Sequence, residues 1–234
     1  MRPRPLLSLA LGLGLLLPFA AAPSGTVQAA PATASVTVVH GVLGLTVDVY
    51  VNGSLTLPAF TPRSIAGPLE LPAGTYDVVI VPAGGNPATP AIRASAALTA
   101  GANVSLVAHL AADGTPTLTP FVNDVRPAGN HQGRIAVRHA AAAPKVDVPI
   151  ALRLGWFKVP VLTLRGVENG QQKGLAIWPL PLSARITPAG QPRVTVLGPV
   201  DLAATPGRLT AVYAIGSLSD GTLELLVQQV PLMP

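Results

Sequence analysis

The chain contains one short pattern twice, about a domain length apart. Residues 36–53 read VTVVHGVLGLTVDVYVNG, an apolar run closed by a His, then a turn and an alternating run around an Asp. Residues 135–151 read IAVRHAAAAPKVDVPIA and repeat that order at an offset of 99 positions. A period of this length exceeds the roughly 20–50 residues of a solenoid unit and matches a whole domain. The repeat therefore predicts two tandem domains of the same fold.

Within each copy, apolar residues recur at every second position. The alternating positions are Val47, Val49 and Val51 in the first copy and Val146, Val148 and Ile150 in the second. A period of two is typical of a strand with one face on a core. Turn signals such as Asn52-Gly53 follow at the spacing of strands in a sandwich, and no segment shows a sustained helical stripe. The pattern predicts an all-β chain of two tandem β-sandwich domains.

The repetition also predicts the domain boundaries. We place the first sandwich at residues 33–125, the linker at 126–132 and the second sandwich at 133–232. The offset between the copies grows from 99 to between 105 and 107 along the second copy. This growth predicts an insertion near 152–180.

The N-terminal region has the pattern of a secretory signal peptide. Arg2 and Arg4 precede the apolar stretch Leu6–Leu17, and Val27-Gln28-Ala29 offers small residues at the positions a signal peptidase reads. The apolar stretch is shorter than the ~20 residues that span a bilayer. We therefore expect residues 1–29 to be a cleaved signal peptide, followed by no integral membrane segment. This predicts a secreted or extracytoplasmic protein, in the periplasm or the cell wall.

The composition excludes several classes of chemistry. The chain has no Cys, so disulfides, cysteine nucleophiles and a lipid-modified Cys are all excluded. Without Arg2 and Arg4 the formal net charge falls from +5 to +3. The basic residues are scattered singly, whereas nucleic-acid binding favours clustered Lys and Arg with stacking aromatics. We predict no nucleic-acid partner.

The order of motifs resembles a bacterial extracytoplasmic family, domain of unknown function 4397. The resemblance lies in Val-x-His, the Val-Asp-Val-Tyr-Val-Asn-Gly of residues 47–53, the Leu-Pro-Ala-Gly-Thr-Tyr of 71–76 and the Val-Pro-Ala-Gly of 81–84. The second copy matches at His139, Ala140, Pro144 and Val146 to Val148. The acid of the family's usual turn is absent from both copies. The resemblance implies export and two tandem immunoglobulin-like β-sandwich domains, and it supplies no known reaction.

The repeated polar residues are the first candidate site. His40 precedes Asp48 by eight residues, and His139 precedes Asp147 by the same distance. A His–Asp pair across a hairpin could orient a base or hold a metal. One imidazole and one carboxylate form at most half of a zinc site, and polar residues at turns commonly bond backbone groups. We favour the structural role and predict no metal and no cofactor, and we keep all four as candidate binding residues.

The predicted insertion is the second candidate site. It holds both Trp residues, Trp156 and Trp178, in a chain with 4% aromatics. Trp gives a large contact area and stacks on sugar rings or cations, which favours a binding role. Large aromatics more often fill a core, so packing within the second domain or against the first is the interpretation we favour.

No motif of an enzyme is present in the sequence. There is no Gly-x-Ser-x-Gly elbow, no phosphate loop and no adjacent pair of acids. We therefore predict a non-enzymatic binding or structural module of the bacterial cell envelope, with an envelope or extracellular protein or glycan as partner. The alternative is an exported hydrolase or metal-binding protein that uses His40 or His139 with unidentified partners.

Overall fold

A computed structural model describes residues 32–233, which form strands and turns. The predicted signal peptide, residues 1–29, lies outside the described residues. The strands of the first half are β1 (Thr33–His40), β2 (Val47–Val51), β3 (Ser54–Phe60), β4 (Ile65–Pro72), β5 (Gly74–Pro82), β6 (Ile92–Leu98), β7 (Asn103–Leu110) and β8 (Pro116–Val122). Those of the second half are β9 (Gly133–Ala142), β10 (Val146–Leu154), β11 (Phe157–Val167), β12 (Gln172–Ile177), β13 (Leu182–Pro188), β14 (Leu197–Leu202), β15 (Arg208–Ser217) and β16 (Glu224–Pro231). Across the described range, no helix is long and apolar enough to cross a membrane.

The strands form four sheets of four strands each. Sheet A has the order β4-β1-β7-β8 and sheet B the order β3-β2-β5-β6. Sheets C (β12-β9-β15-β16) and D (β11-β10-β13-β14) repeat these orders eight strands later. The central pairs β1–β7 and β9–β15 are parallel, and the neighbouring pairs are antiparallel. Each sheet takes its strands from one half of the chain, and the predicted all-β fold of two sandwiches is confirmed.

Each sandwich has its own apolar core between its two sheets. In the first, the core includes Val36 and Leu106 from sheet A and Val47 and Ile80 from sheet B. In the second, the corresponding cluster is built from Ile135, Val148, Ile186 and Val212. Val47, Val49, Val146, Val148 and Ile150 of the period-two pattern all belong to these cores, and burying each Val or Ile stabilises the fold by about 1.5–3 kcal/mol.

The two sandwiches pack against each other through sheets A and C. Val39, Val107 and Phe121 of sheet A meet Ala211 and Tyr213 of sheet C in a separate buried cluster. The central strands β1 and β9 are therefore buried on both faces. This explains why their sequences read as nearly continuous apolar runs rather than as clean alternation.

A buried arginine lies in this contact. Arg138 of β9 has no solvent-exposed surface, and its Nε donates to Gln172 Oε1 at 2.8 Å. Its terminal nitrogens donate to Tyr213 and to Asn123, and its guanidinium carbon lies 5.1 Å from the ring centre of Phe121 and 5.0 Å from that of Tyr213. These polar partners are neutral, and burial lowers the pKa of Arg138. The guanidinium is thus held by hydrogen bonds and aromatic faces instead of a carboxylate.

Other polar contacts also join the two halves. Arg63 pairs with Glu224 at 2.6 Å, and the Asn169 amide donates to the carbonyls of Leu110 at 2.9 Å and Ala141 at 2.7 Å. The Arg63–Glu224 pair and the Asn169–Leu110 bond cross between the sandwiches, and the bond to Ala141 fixes Asn169 within the second one. The two halves are therefore tied together along the contact as well as by the connecting segment.

Candidate functional site

The repeated histidines brace the turns that follow their strands. His40 is buried, its Nε2 donates to the carbonyl of Leu45 at 2.7 Å, and its Nδ1 accepts from the amide of Val42 at 3.4 Å. His139 repeats the first of these bonds with the carbonyl of Pro144 at 3.0 Å. Because a carbonyl only accepts, Nε2 carries the proton in both rings. Burial lowers the pKa of both histidines, which keeps the rings neutral.

The first repeated aspartate ties two neighbouring segments to its strand. Asp48 Oδ1 accepts from the amide of Ala59 at 2.7 Å, and Oδ2 accepts from the amide of Gly84 at 2.8 Å. Ala59 lies at an irregularity of β3 with a φ of 48°, and Gly84 belongs to the Pro-Ala-Gly turn after β5. The two amides lower the pKa of the Asp48 carboxyl, because they stabilise its charged form.

The second aspartate makes the same pair of contacts. Asp147 accepts from the amide of Gly166 at 2.7 Å and from the amide of Gly190 at 3.0 Å. Gly166 has a φ of 62° at the matching position of β11, and Gly190 ends the second Pro-Ala-Gly turn. In both sandwiches, the repeated Asp therefore holds the repeated Pro-Ala-Gly turn in place through a hydrogen bond to the glycine amide.

The structure thus gives backbone partners to all four repeated polar residues. Each imidazole bonds the turn after its own strand. Each carboxylate accepts from one amide of the neighbouring strand, β3 or β11, and from one amide of a Pro-Ala-Gly turn. Within residues 32–233, no group of three or more His, Asp or Glu side chains is placed to hold a metal ion. A cavity of about 240 Å³ adjoins His139, and Lys145 and Gln191 are its other polar lining residues. No carboxylate or hydroxyl among the described residues lines that cavity beside the imidazole.

The aromatic segment forms the tip of a long hairpin. β10 has nine residues and β11 has eleven, against five and seven in the corresponding strands β2 and β3. Gly155 turns the chain with a φ of 62°, and Trp156 follows with 88% of its surface exposed. Phe157 is 60% exposed, and the two ring centres lie 4.5 Å apart. The packing that we favoured from the sequence is therefore wrong for Trp156, and we name Trp156 and Phe157 the aromatic tip.

The hairpin is amphipathic beyond the edge of the core. Leu154 faces Phe157 across the strand pair, and both side chains are more than half exposed. Arg153 faces Lys158 on the other side of the hairpin, and Arg153 forms an ion pair with Asp201. The tip therefore presents apolar and basic surface together.

Trp178 lies in the segment between β12 and β13, which is hydrogen-bonded to the same hairpin. The carbonyl of Pro181 accepts from the amide of Arg153 at 2.8 Å, which joins the segment after β12 to β10. Trp178 is 51% exposed, and its indole Nε1 lies 3.1 Å from the side-chain amide of Gln132, in reach of the amide oxygen. Trp178 is thus partly packed and partly exposed, and it anchors the connecting segment to this end of the sandwich.

A groove that sequence reasoning missed lies on the outer face of sheet D. It has a volume of about 670 Å³ and is formed by β10, β11, β13 and the start of β14 with the loop before it. We name it the basic groove, because its charged lining residues are Lys158, Arg165 and Arg185. Its hydroxyl-bearing lining residues are Thr163, Ser183 and Thr195. Arg185 lies on β13, 20 residues after Arg165 of β11, so the sequence alone does not bring the three cations together.

Comparison with solved structures found distant similarities. A protein from Bacteroides ovatus ATCC 8483, provisionally assigned a role in cell adhesion, is 9% identical, with 86% of this chain and 98% of that chain covered and a TM-score of 0.29. The module CBMbc (family CBM26) from Eubacterium rectale Amy13K, solved with maltoheptaose, is 11% identical over 86% of this chain and 98% of its own, with a TM-score of 0.24. Both similarities are distant, and nothing about a ligand follows from them. No curated protein sequence matches the chain.

One family matches the chain in sequence. The match begins in β1, includes the whole first sandwich and ends within β10, at residue 149. The predicted second copy of the family is not matched beyond that point, and the equivalence of the halves rests on the sheet orders and on the repeated Asp contacts. Over residues 34–149, the chain is similar in sequence to the family described as "Domain of unknown function (DUF4397)".

Proposed function

We propose that the protein is a non-enzymatic binding module of the bacterial cell envelope, exported after cleavage of residues 1–29. Its domains are the two sandwiches at residues 33–125 and 133–232. Its binding element is the aromatic tip, with Trp178 and the outer face of sheet D beside it. The repeated His40, Asp48, His139 and Asp147 hold the turns that position the strands.

The exposure of Trp156 is the observation that supports this proposal. A Trp side chain buries 150–250 Å² when it packs, as a rough figure, and Trp is the residue type most enriched at binding hot spots. In this hairpin it lies at the far end, next to a second exposed ring, where it adds nothing to either core. An exposed rigid aromatic pair offers contact area to a partner at little cost in side-chain entropy.

The alternative of a hydrolase or metal site at His40 or His139 has less support. Both imidazoles are buried and use Nε2 to donate to a turn carbonyl. A general base needs a reacting group within hydrogen-bond reach of a free nitrogen. The β10–β11 hairpin, in contrast, carries exposed apolar side chains that do not contribute to either core.

Replacing Trp156 by alanine tests the proposal. Binding of the purified protein to the isolated cell-envelope fraction of its native host should weaken by about tenfold or more, since hot-spot truncations cost upwards of ~2 kcal/mol. The melting temperature should stay within about 1 °C, because substitutions of exposed residues change stability by only about ±0.5 kcal/mol.

Leu55→Ala is the matched control. Leu55 is 49% exposed and lies at the shorter hairpin of the first sandwich, so its truncation should leave both binding and stability unchanged. A Trp156→Ala protein that binds as the wild type does would contradict the proposal. So would a loss of about 3–5 kcal/mol of stability, which is the cost of truncating a buried Trp.

A further inference from the structure

The basic groove next to the aromatic tip has a charge that its own sandwich does not neutralise. We propose that it binds an extended acidic polysaccharide of the uronate type, with the aromatic tip stacking on a sugar ring at one end. The inference rests on the proposed function and names the class of ligand that the same face would take.

Charge complementarity is the first argument. Within residues 32–233, none of Lys158, Arg165 and Arg185 forms an ion pair, and no carboxylate lines the groove. The Asp147 carboxylate is within electrostatic reach of Arg165, but backbone amides engage both of its oxygens. The second half of the chain also carries a net positive charge, since residues 133–233 contain ten basic and five acidic side chains. Residues 33–125 contain two basic and five acidic side chains. A groove lined by one sign of charge concentrates ligands of the other sign.

The spacing of the cations favours a chain over a small anion. Lys158 and Arg165 are seven residues apart on β11, which corresponds to roughly 20 Å at the rise of a strand. A single phosphate or sulfate is too small to reach two side chains whose backbone positions are that far apart. A polymer with a carboxylate on each sugar ring can contact both. The volume of about 670 Å³ also lies in the range of ligand sites.

The other lining groups favour a sugar over a nucleic acid or a bilayer. Thr163, Ser183 and Thr195 offer hydroxyls that can donate to and accept from sugar hydroxyls, and Arg185 already donates to Thr195 Oγ1 at 3.2 Å. Single-stranded nucleic acid is usually held by aromatic side chains spread along the groove, and this groove has none in its lining. Its cations also line a concave surface, which a flat bilayer does not fill.

The first sandwich shows that the basic residues of the groove are not needed for the fold. The strand register places Pro58 of β3 at the position of Arg165, and Val79 of β5 at the position of Arg185. Both sandwiches keep the Asp contacts that hold these strands. The cations are therefore specific to the second copy.

Calorimetric titration with polygalacturonate, and with neutral dextran of the same length, tests the inference. We expect the wild type to bind polygalacturonate, to lose affinity as salt is raised, and to bind dextran weakly or not at all. The triple variant Lys158→Gln, Arg165→Gln, Arg185→Gln should bind polygalacturonate about tenfold or more weakly, since three partly exposed charge contacts are lost. The control triple variant Arg126→Gln, Lys145→Gln, Arg208→Gln removes the same charge outside the groove and should change affinity by about twofold or less.

Several results would overturn the inference. They are equal binding of dextran, equal losses in the two triple variants, or tighter binding of single-stranded DNA or anionic vesicles through the same three cations. A wild type without affinity for polygalacturonate, but with envelope binding that Trp156→Ala abolishes, would refute the inference and leave the proposed function intact. Envelope binding unaffected by Trp156→Ala would refute the proposed function instead.

Discussion

Replacing Arg138 by alanine should destabilise the protein by about 3–5 kcal/mol. The side chain is fully buried between the sandwiches, and its removal leaves a cavity between Phe121 and Tyr213. It also removes the donor of the Gln172 oxygen and one of the two donors of the Asn123 oxygen. For a body of about 200 residues, this loss lowers the melting temperature by roughly 10 °C.

Two companion variants separate the charge of Arg138 from its volume. Arg138→Met keeps apolar volume without the charge and should recover part of the loss, because apolar replacements of a buried charge are often tolerated. The exposed Arg208→Ala should change stability by less than about 0.5 kcal/mol. Chemical denaturation of the wild type and the three variants measures their free energies of unfolding. An Arg138→Ala protein as stable as the wild type would contradict the packing of sheet A on sheet C.

The free energy of unfolding should fall as the pH is lowered from 7.5 to 5. His40, His109 and His139 are all buried, and burial lowers the pKa of each from 6.5. The unfolded chain therefore takes up protons that the folded protein does not bind. The stability from the neutral rings is present above pH 6.5 and is lost as the pH falls through the lowered pKa of the folded state, at up to about 1.4 kcal/mol per pH unit for each ring.

Urea denaturation at pH 7.5, 6.5, 5.5 and 4.5 measures this dependence. The aspartates act in a separate window, because the pKa values of Asp48 and Asp147 are lowered from 3.8 and their contribution is lost only below about that pH. A double variant His40→Gln, His139→Gln should be less stable at pH 7.5 and should show a shallower decline toward pH 5. A wild-type stability that is constant from pH 7.5 to 5 would contradict the burial of the three rings.

The fold was accessible from the sequence because its signals are local. Alternation at Val47 to Val51 and Val146 to Ile150 predicts strands, and the repeat at 99 positions predicts two similar units. The backbone partners of the repeated His follow the same logic, since polar residues next to turns commonly satisfy nearby amides and carbonyls, whereas the amides that bond the two Asp are distant in sequence.

The contact between the sandwiches could not be predicted in this way. Arg138 lies in β9 where β1 has Val39, and a charged residue in a strand normally indicates a solvent-exposed face. Only the packing of sheet A on sheet C reveals that this face is buried. The partners of Arg138 come from three other strands and one connecting segment, so no short-range pattern announces them.

The candidate site also depends on contacts between segments that are distant in sequence. Trp156 is exposed because Gly155 turns the chain beyond the end of the core, which a count of aromatic residues does not reveal. Lys158, Arg165 and Arg185 line one groove because β11 pairs with β10 and β10 pairs with β13. In sequence they are single basic residues, so the distribution of charge along the chain does not reveal the groove.

The most direct measurement of the binding role uses Trp156 as its own reporter. The chain has two Trp residues, so Trp178→Phe leaves Trp156 as the single source of indole fluorescence. With the host's envelope fraction added, its emission should move to shorter wavelength and acrylamide quenching should fall, because the exposed ring becomes buried against the partner. A Trp156→Phe protein, reporting from Trp178, should respond less. Trp156 that remains fully quenchable while the protein is bound to the envelope would contradict the central claim that the aromatic tip is the binding element.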